Sequence, residues 1–238
     1  MTKLRISEIF GPTIQGEGAL IGKPTVFVRA GGCDYRCSWC DTLYAVDSEF
    51  RREWKQMSSE EIWASVQKLS GGSPLTVSLS GGNPAIQDFS AFITLANQHG
   101  YDVAMETQGS IYRKWFTKLQ HLAISPKPPS AQIQFDPEKL DECVKGGPKN
   151  NTVLKIVIFD DQDYKWAKEV AGKYPELPLF LQAGNLSHMD NYSEVDDPVA
   201  HACKNTQTLI EKALSDGWFR PKILPQLHVM IWGNERGV

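Results

Sequence analysis

Short apolar stretches rich in β-branched or aromatic residues recur along the chain at 4–10, 25–29, 75–80, 102–106, 122–125, 153–159, 177–182 and 222–231. Runs of this length bounded by Gly, Pro, Asn or Asp read as strands. Between several of them the apolar period changes. From 58 to 69, Ile62, Val66 and Leu69 return to one helical face, and Ser58 followed by Glu61 forms a capping box. Phe89, Phe92, Ile93 and Ala96 mark a second helix over 88–98. A third, 160–174, opens with acidic residues that suit the positive end of the helix dipole, and a last long one runs from about Asp196 to Asp216.

Strand, helix and strand repeated this often imply a parallel sheet with right-handed crossovers, an α/β fold. A chain of 238 residues is short for eight full units with additional end strands. The expectation is one domain over 1–238, an incomplete TIM-like barrel of about six βα units. An open doubly wound sheet fits the same periodicity. The segments leaving the strand ends read GGCDYRCSWCD, SGGNP, ETQG, SPKPP and QAGN. Sites in parallel α/β folds lie at the carboxyl ends of strands, so these loops mark the expected site.

Composition narrows the class of partner. With 41% hydrophobic residues the chain can form a core, and a net charge of −3 leaves no basic excess for nucleic-acid phosphates. No apolar run approaches the ~18–20 residues of a membrane span. The segment MTKLRISEIFGP has no apolar signal core followed by a cleavage site. A cytoplasmic protein without membrane or nucleic-acid partners is expected.

Cys33, Cys37 and Cys40 crowd together, while Cys143 and Cys203 stand apart. A disulfide framework spreads its cysteines, so three close thiols in a reducing compartment read as a metal site. CxxxCxxC lets three thiolates face one cubane, with Gly31 and Gly32 allowing the turn into the loop. A structural zinc site takes four ligands, usually in separated pairs, and a histidine, Cys143 or Cys203 would have to complete it. An electron-transfer 4Fe–4S protein supplies four cysteines. Three leave one iron without a protein ligand, as a cluster that binds a substrate or cofactor requires. Zinc and three unrelated thiols stay as competing readings.

CxxxCxxC with Trp39 directly before the last cysteine resembles the signature of the radical S-adenosylmethionine superfamily. More of the chain resembles one family in it, 7-carboxy-7-deazaguanine synthase. EIFGPTIQGEG, FVRAGGCDYRCSWCDT, SGGNP, ETQG, ISPKPP, LQAGN and PQLHVMIWGNERGV carry that resemblance over nearly the whole length. It implies a lyase of queuosine and 7-deazapurine biosynthesis that uses a 4Fe–4S cluster, S-adenosylmethionine and Mg2+. The methionine amino and carboxylate groups would chelate the open iron, and an electron would cleave the sulfonium. The 5′-deoxyadenosyl radical would then take the C6 hydrogen of 6-carboxy-5,6,7,8-tetrahydropterin, with magnesium-dependent ring contraction and loss of ammonia to follow. A homodimer and a reductase or flavodoxin-type electron donor are implied as well. A glycyl-radical activase, which shares the cysteine spacing and small size, is the second enzymatic reading.

The same resemblance distributes roles. Cys33, Cys37 and Cys40 ligate the cluster, and Thr42 holds magnesium, which prefers hard oxygen ligands. Trp39, Asp41, Gly82, Asn83, Glu106, Ser125, Lys127, Gln182 and Asn185 fall to S-adenosylmethionine. Many radical enzymes carry Glu where Asn83 stands, and an amide brings no full negative charge to the methionine ammonium. Ile14, Gln15, Gly16, Glu17, Arg29, Ser80, His228 and Val238 fall to the substrate. Glycines around 14–18 let backbone approach a flat ring, Gln15 both donates and accepts, and Glu17 accepts from N–H groups. Arg29 ends an apolar strand, where its charge is costly unless paired, and its planar fork matches a carboxylate. Plainer readings accompany each: a surface turn for 14–18, an ion pair for Arg29, a turn residue for Thr42, a solvated Lys127, a core His228 and a frayed tail at Val238. Cys143 and Cys203 read as free thiols, and Trp218, Phe219 and Trp232 as core or dimer contacts.

Overall fold

The computed structural model describes residues 3–186 and 197–238. Among them the strands are β1 (Leu4–Ile14), β2 (Pro24–Ala30), β3 (Lys55–Met57), β4 (Thr76–Gly81), β5 (Asp102–Thr107), β6 (His121–Ile124), β7 (Thr152–Ile158), β8 (Leu179–Ala183) and β9 (Lys222–Leu224). They form one sheet in the order β3-β1-β2-β4-β5-β6-β7-β8-β9. β1 is antiparallel to β2 and to the edge strand β3, and every neighbouring pair from β2 to β9 is parallel. The helices are α1 (Leu43–Val46), α2 (Ser59–Ser70), α3 (Ser90–Gln98), α4 (Pro137–Gly146), α5 (Asp161–Gly172), α6 (Pro198–Ser215) and α7 (Leu227–Trp232). A short 3-10 turn, Lys114–Lys118, takes the place of a helix between β5 and β6.

From β2 to β9 the order advances without reversal, so right-handed crossovers place their helices on one face. A doubly wound sheet requires a reversal, and this one has none there. The sheet stays open, with β3 and β9 as its edges. That is the partial barrel expected from the chain length.

The strands alternate instead of reading as uniformly apolar. Val26 and Val28, Val77 and Leu79, Val103 and Met105, Leu154 and Ile156, and Leu179 and Leu181 pack into the core with Ile62, Phe92 and Tyr164. The residues between them, among them Arg29, Ser78, Ser80, Glu106 and Lys155, line a cavity on the other face. A parallel sheet buried against apolar layers on both sides would have near-continuous hydrophobic strands. Here one face supplies the core and the other a polar wall.

The helix signals translate directly. Ser58 caps α2 with the full reciprocal capping box, and Asp160 caps α5 by accepting from the Asp163 N–H at 2.8 Å. Asp197 caps α6 through the N–H groups of Val199 and Ala200, each at 3.0 Å. The expected start of that helix at position 196 lies outside the described residues. Two expectations change. The strand over 222–231 stops at Leu224, because Pro225 has no N–H for the ladder, and 227–232 coils into α7. α4 and β3 have no counterpart in the apolar pattern, since α4 buries only Leu140 and Cys143 and β3 is an exposed edge. Trp218 packs edge-on against Tyr164 at 5.2 Å, whereas Phe219 is 75% exposed. Among the described residues no helix is long and apolar enough to cross a membrane.

Candidate active site

The carboxyl ends of the parallel strands, the loop after β1 and the C-terminal segment enclose a cavity of about 250 Å³. Cys33, Cys37 and Cys40 all reach its wall. Burial pushes the three thiols up, Cys37 to about 11, with Lys127 opposing. Ligation must therefore displace their protons. Among the described residues the thiols do not converge with other ligands on a single ion, as tetrahedral zinc requires. Their placement along one wall suits a multi-atom cluster.

The cysteine loop is pinned at two places. Near its start, Asp34 Oδ1 accepts from Asn83 Nδ2 at 2.8 Å and from Gln108 Nε2 at 2.7 Å. Near its end, Trp39 Nε1 donates to Ser130 Oγ at 3.0 Å, and Ser130 Oγ donates to the buried Asp163 at 2.6 Å. Ser38 adds bonds to the backbone carbonyls of Ser130 and Ala131. The Ser80–Pro84 turn presses against the same loop. A Cβ on Gly82 would stand 2.1 Å from the Gly32 carbonyl oxygen, so only glycine permits the approach. The N–H groups of Gly82 and Asn83 donate to the Ala30 and Gly32 carbonyls at 3.1 and 2.9 Å.

Asn83 has no exposure at all. Besides Asp34 it donates to Ser110 Oγ at 3.2 Å, and its Oδ1 accepts from Thr107 Oγ1 at 2.9 Å and the Ala85 N–H at 3.2 Å. All of its bonding capacity is spent on tying β4, the end of β5 and the cysteine loop together.

On the cavity floor, Lys155 bonds Glu17 and, at 2.6 Å, Glu106. Glu17 Oε1 also accepts from Gln182 Nε2 at 3.1 Å and Gln226 Nε2 at 2.7 Å. Burial acts to raise the Glu17 carboxyl, but Lys155 and His228 outweigh it and hold it well below the usual carboxylate range. Burial likewise acts to lower Lys155, and Glu106 with Glu17 drives it above the ordinary lysine range. Arg29 donates from Nε to Glu8 at 2.6 Å and lies over the rings of Phe10 and Tyr44. Its ion pair is thus the plainer one expected, yet the residue still lines the cavity.

Residues 14–121 match a family model described as a 4Fe-4S single cluster domain. Over 241 residues, 98% of each chain, the protein is 42% identical to the 7-carboxy-7-deazaguanine synthase of Bacillus subtilis (strain 168). The chain belongs to the 7-carboxy-7-deazaguanine synthase family. The Bacillus cereus relative of the same name is 38% identical over the full length of both chains. Among solved structures, QueE from Escherichia coli overlays with a TM-score of 0.69 at 22% identity, covering 94% of each chain. Streptococcus suis SuiB bound to S-adenosylmethionine overlays at 0.55 and 12% identity, covering 84% of this chain and 50% of that one. At these identities the two structures show a shared fold.

In this synthase-family chain the cavity wall brings together Gln15, Glu17, Arg29, Trp39, Asp41, Thr42, Ser80, Gly82, Glu106, Ser125, Lys127, Asn185 and His228 with the three cysteines. Ile14, Gly16, Asn83, Gln182 and Val238 are outside that wall. Ile14 pairs with Pro24 in the ladder, Gln182 supports Glu17 from behind, and the tail docks through Arg236, which bonds Glu8 at 3.0 Å and covers Tyr44. Sequence reasoning missed Lys155, Gln108, Gln226 and Asp163. A lysine inside the apolar run TVLKIVI was the one usable signal, because a strand rarely buries an ammonium unless it has a partner.

Gly16 contributes by absence. A Cβ there would lie 2.1 Å from His228 Nδ1, and its carbonyl accepts the Leu227 N–H at 2.9 Å. Gly16→Ala is expected to displace α7 and cost about 1–3 kcal/mol, as overpacking does. Thermal melting should show a drop of roughly 2–12 °C. An unchanged melting temperature would mean that the ring yields freely.

Proposed function

We propose that this protein is a radical S-adenosylmethionine lyase that converts 6-carboxy-5,6,7,8-tetrahydropterin to 7-carboxy-7-deazaguanine, with hydrogen removal at C6, ring contraction and loss of ammonia. The observation that carries this reading is the meeting, in one cavity, of three cysteines and a floor of hydrogen-bond acceptors. When bound, the cluster and S-adenosylmethionine supply the one-electron chemistry. Cys33, Cys37 and Cys40 would hold the cluster, which leaves one iron for the cofactor. At the Ser80–Pro84 turn the Gly82 and Asn83 N–H groups are already bonded, and an ammonium there, being a donor only, would need carbonyl oxygens. Lys127, whose Nζ stands 5.6 Å from the Trp39 ring and 3.2 Å from Ser125 Oγ, would pair with the cofactor carboxylate or ribose.

Glu17, with Gln15 beside it, would accept the N–H edge of the pterin. Arg29 is engaged with Glu8 through Nε, which keeps its Nη groups for the substrate carboxylate. Among the described residues the buried Ser80 Oγ and Gln226 Oε1 have no partner, and a polar ligand in the cavity would satisfy them. His228 would close the pterin pocket over Gly16, and Val238 would cover it from the tail. A reductase or flavodoxin-type donor and a homodimer belong to the same reading. A glycyl-radical activase must admit a loop of a partner protein, and this cavity is on the small-molecule scale.

Anaerobic incubation of the reconstituted enzyme with tetrahydropterin, reductant, S-adenosylmethionine and magnesium should yield the deazaguanine by mass spectrometry. No product from enzyme with a full cluster would sink the reading. Thr42 offers a hard hydroxyl at the cavity wall, 3.7 Å from Cys40 Sγ, and would hold the magnesium. Thr42→Val is expected to lower kcat/KM at limiting magnesium on the order of 10-fold, with partial recovery at high magnesium. Turnover that ignores complete removal of divalent cations would refute this role.

A further inference from the structure

The floor of the cavity is a closed charge cluster. Lys155 projects from β7 with a side chain 4% exposed and bonds Glu17 from the loop after β1 and Glu106 from β5. Its neighbours on the same strand, Leu154 and Ile156, face the helix-side core. Gln182 and Gln226 converge on the other oxygen of Glu17, and His228 from α7 faces it. Below lies a second cavity of about 280 Å³, and Gln15, Glu17, Ser78, Glu106 and Lys155 line both. The cluster is therefore the partition between the two spaces. Without the lysine, two carboxylates that bond one Nζ would confront each other, and one would take up a proton.

We propose that Lys155 is a positioning residue: by bridging Glu17 and Glu106 it keeps both carboxylates as acceptors and so selects a ligand ring edge made of N–H donors. This rests on the reading of the site as a pterin pocket. A carboxylate has about four acceptor positions, and Glu17 has committed three, to Lys155, Gln182 and Gln226. Glu106 has committed one, to Lys155. The two carboxylates thus have room for donors and nothing to offer a carbonyl. A 2-amino ring edge fits it, whereas a 2-oxo analogue places an acceptor against a carboxylate. A site built to bond a particular N–H rejects the analogue lacking it by roughly 10⁴-fold. Glu17 is held ionised and Lys155 protonated throughout the neutral range, so the wild-type preference should not vary there with pH.

The test compares reconstituted wild type with Lys155→Met, measuring kcat and KM between about pH 6 and 9 for the tetrahydropterin and its 2-oxo analogue. In Lys155→Met the KM for the tetrahydropterin should rise at least ~10-fold at pH 7, with a much smaller change in kcat. It should fall again as pH rises and the shared proton leaves. Discrimination against the 2-oxo analogue should shrink. An unchanged KM with a flat profile overturns the proposal, and so does an equal loss of kcat for both substrates without a new pH dependence. If Lys155→Met does not fold, Lys155→Met with Glu106→Gln removes the repulsion. That variant should show the raised KM without pH dependence, and a wild-type KM in it counts against the clamp.

A measurement without pterin separates this idea from the substrate assignment. In Lys155→Met one carboxyl should have its folded pKa raised above the unfolded value near ~4.3. Its stability relative to wild type should then fall as pH rises through that raised value. If this melting difference appears while wild type ignores the tetrahydropterin, the substrate reading fails and the clamp stands. Turnover by wild type without the melting difference overturns the clamp alone.

Discussion

Cys37→Ala is expected to reduce product formation to background and to leave protein without the iron and visible absorbance of the wild type. A cluster held by three thiolates cannot lose one and keep the same anchoring, and the wall offers no spare cysteine. Cys143 is buried in the helix-side core and Cys203 is exposed, both away from the cavity. The fold should survive, because Cys37 lies outside the main hydrophobic core and its loop is held by Asp34, Ser38 and Trp39. Melting of the iron-free forms of variant and wild type should therefore agree closely. Cys143→Ala provides the contrast, with a full cluster and about 1 kcal/mol lost from the core. Iron content and absorbance after anaerobic reconstitution check both. Wild-type iron in Cys37→Ala would overturn the cluster assignment.

Asn83→Ala should have the next largest effect, through stability as much as chemistry. The side chain makes four hydrogen bonds in a fully buried position. Its removal leaves the Ala85 N–H and Thr107 and Ser110 hydroxyls short of partners and frees Asp34 from one of its two anchors. Each buried group left unmatched costs about 1–3 kcal/mol, and partial relaxation brings the sum to roughly 3–5 kcal/mol. The melting temperature should fall by about 10 °C, and the cluster should be retained less well because Asp34 adjoins Cys33. Weaker S-adenosylmethionine affinity with an unchanged melting temperature would instead make Asn83 a direct contact. Asn83→Asp would set a second carboxylate against Asp34 and should be worse than its size suggests.

This placement of Asn83 illustrates what the sequence hides. In the SGGNP turn the residue reads as a ligand contact, and nothing local reveals that Asp34, Thr107 and Ser110 converge on it. The same holds for Gly81 and Gly82, whose smallness serves contact with the backbones of Ala30 and Gly32 respectively. Arg29 was legible as a paired charge, but its partner Glu8 comes from the antiparallel strand beside it and is visible only in the register. α4 escaped the periodicity because so few of its residues are buried. Pro225, by contrast, was a local signal that the last strand had to end.

What the sequence determined by itself is what local chemistry determines. The spacing of Cys33, Cys37 and Cys40 marks the expected three-thiolate site, the capping residues specify where α2 and α5 begin, and the alternation of strands and helices specifies a parallel sheet. Those features depend on near neighbours and survive in any context. Tertiary structure alone decided which polar residues face one another. Only the monotonic strand order puts the inward positions of β2, β4, β5 and β7 on a single wall. Only there do Glu17, Glu106 and Lys155, far apart in the chain, become one charge cluster, because a buried charge is tolerable only where the fold supplies its partner.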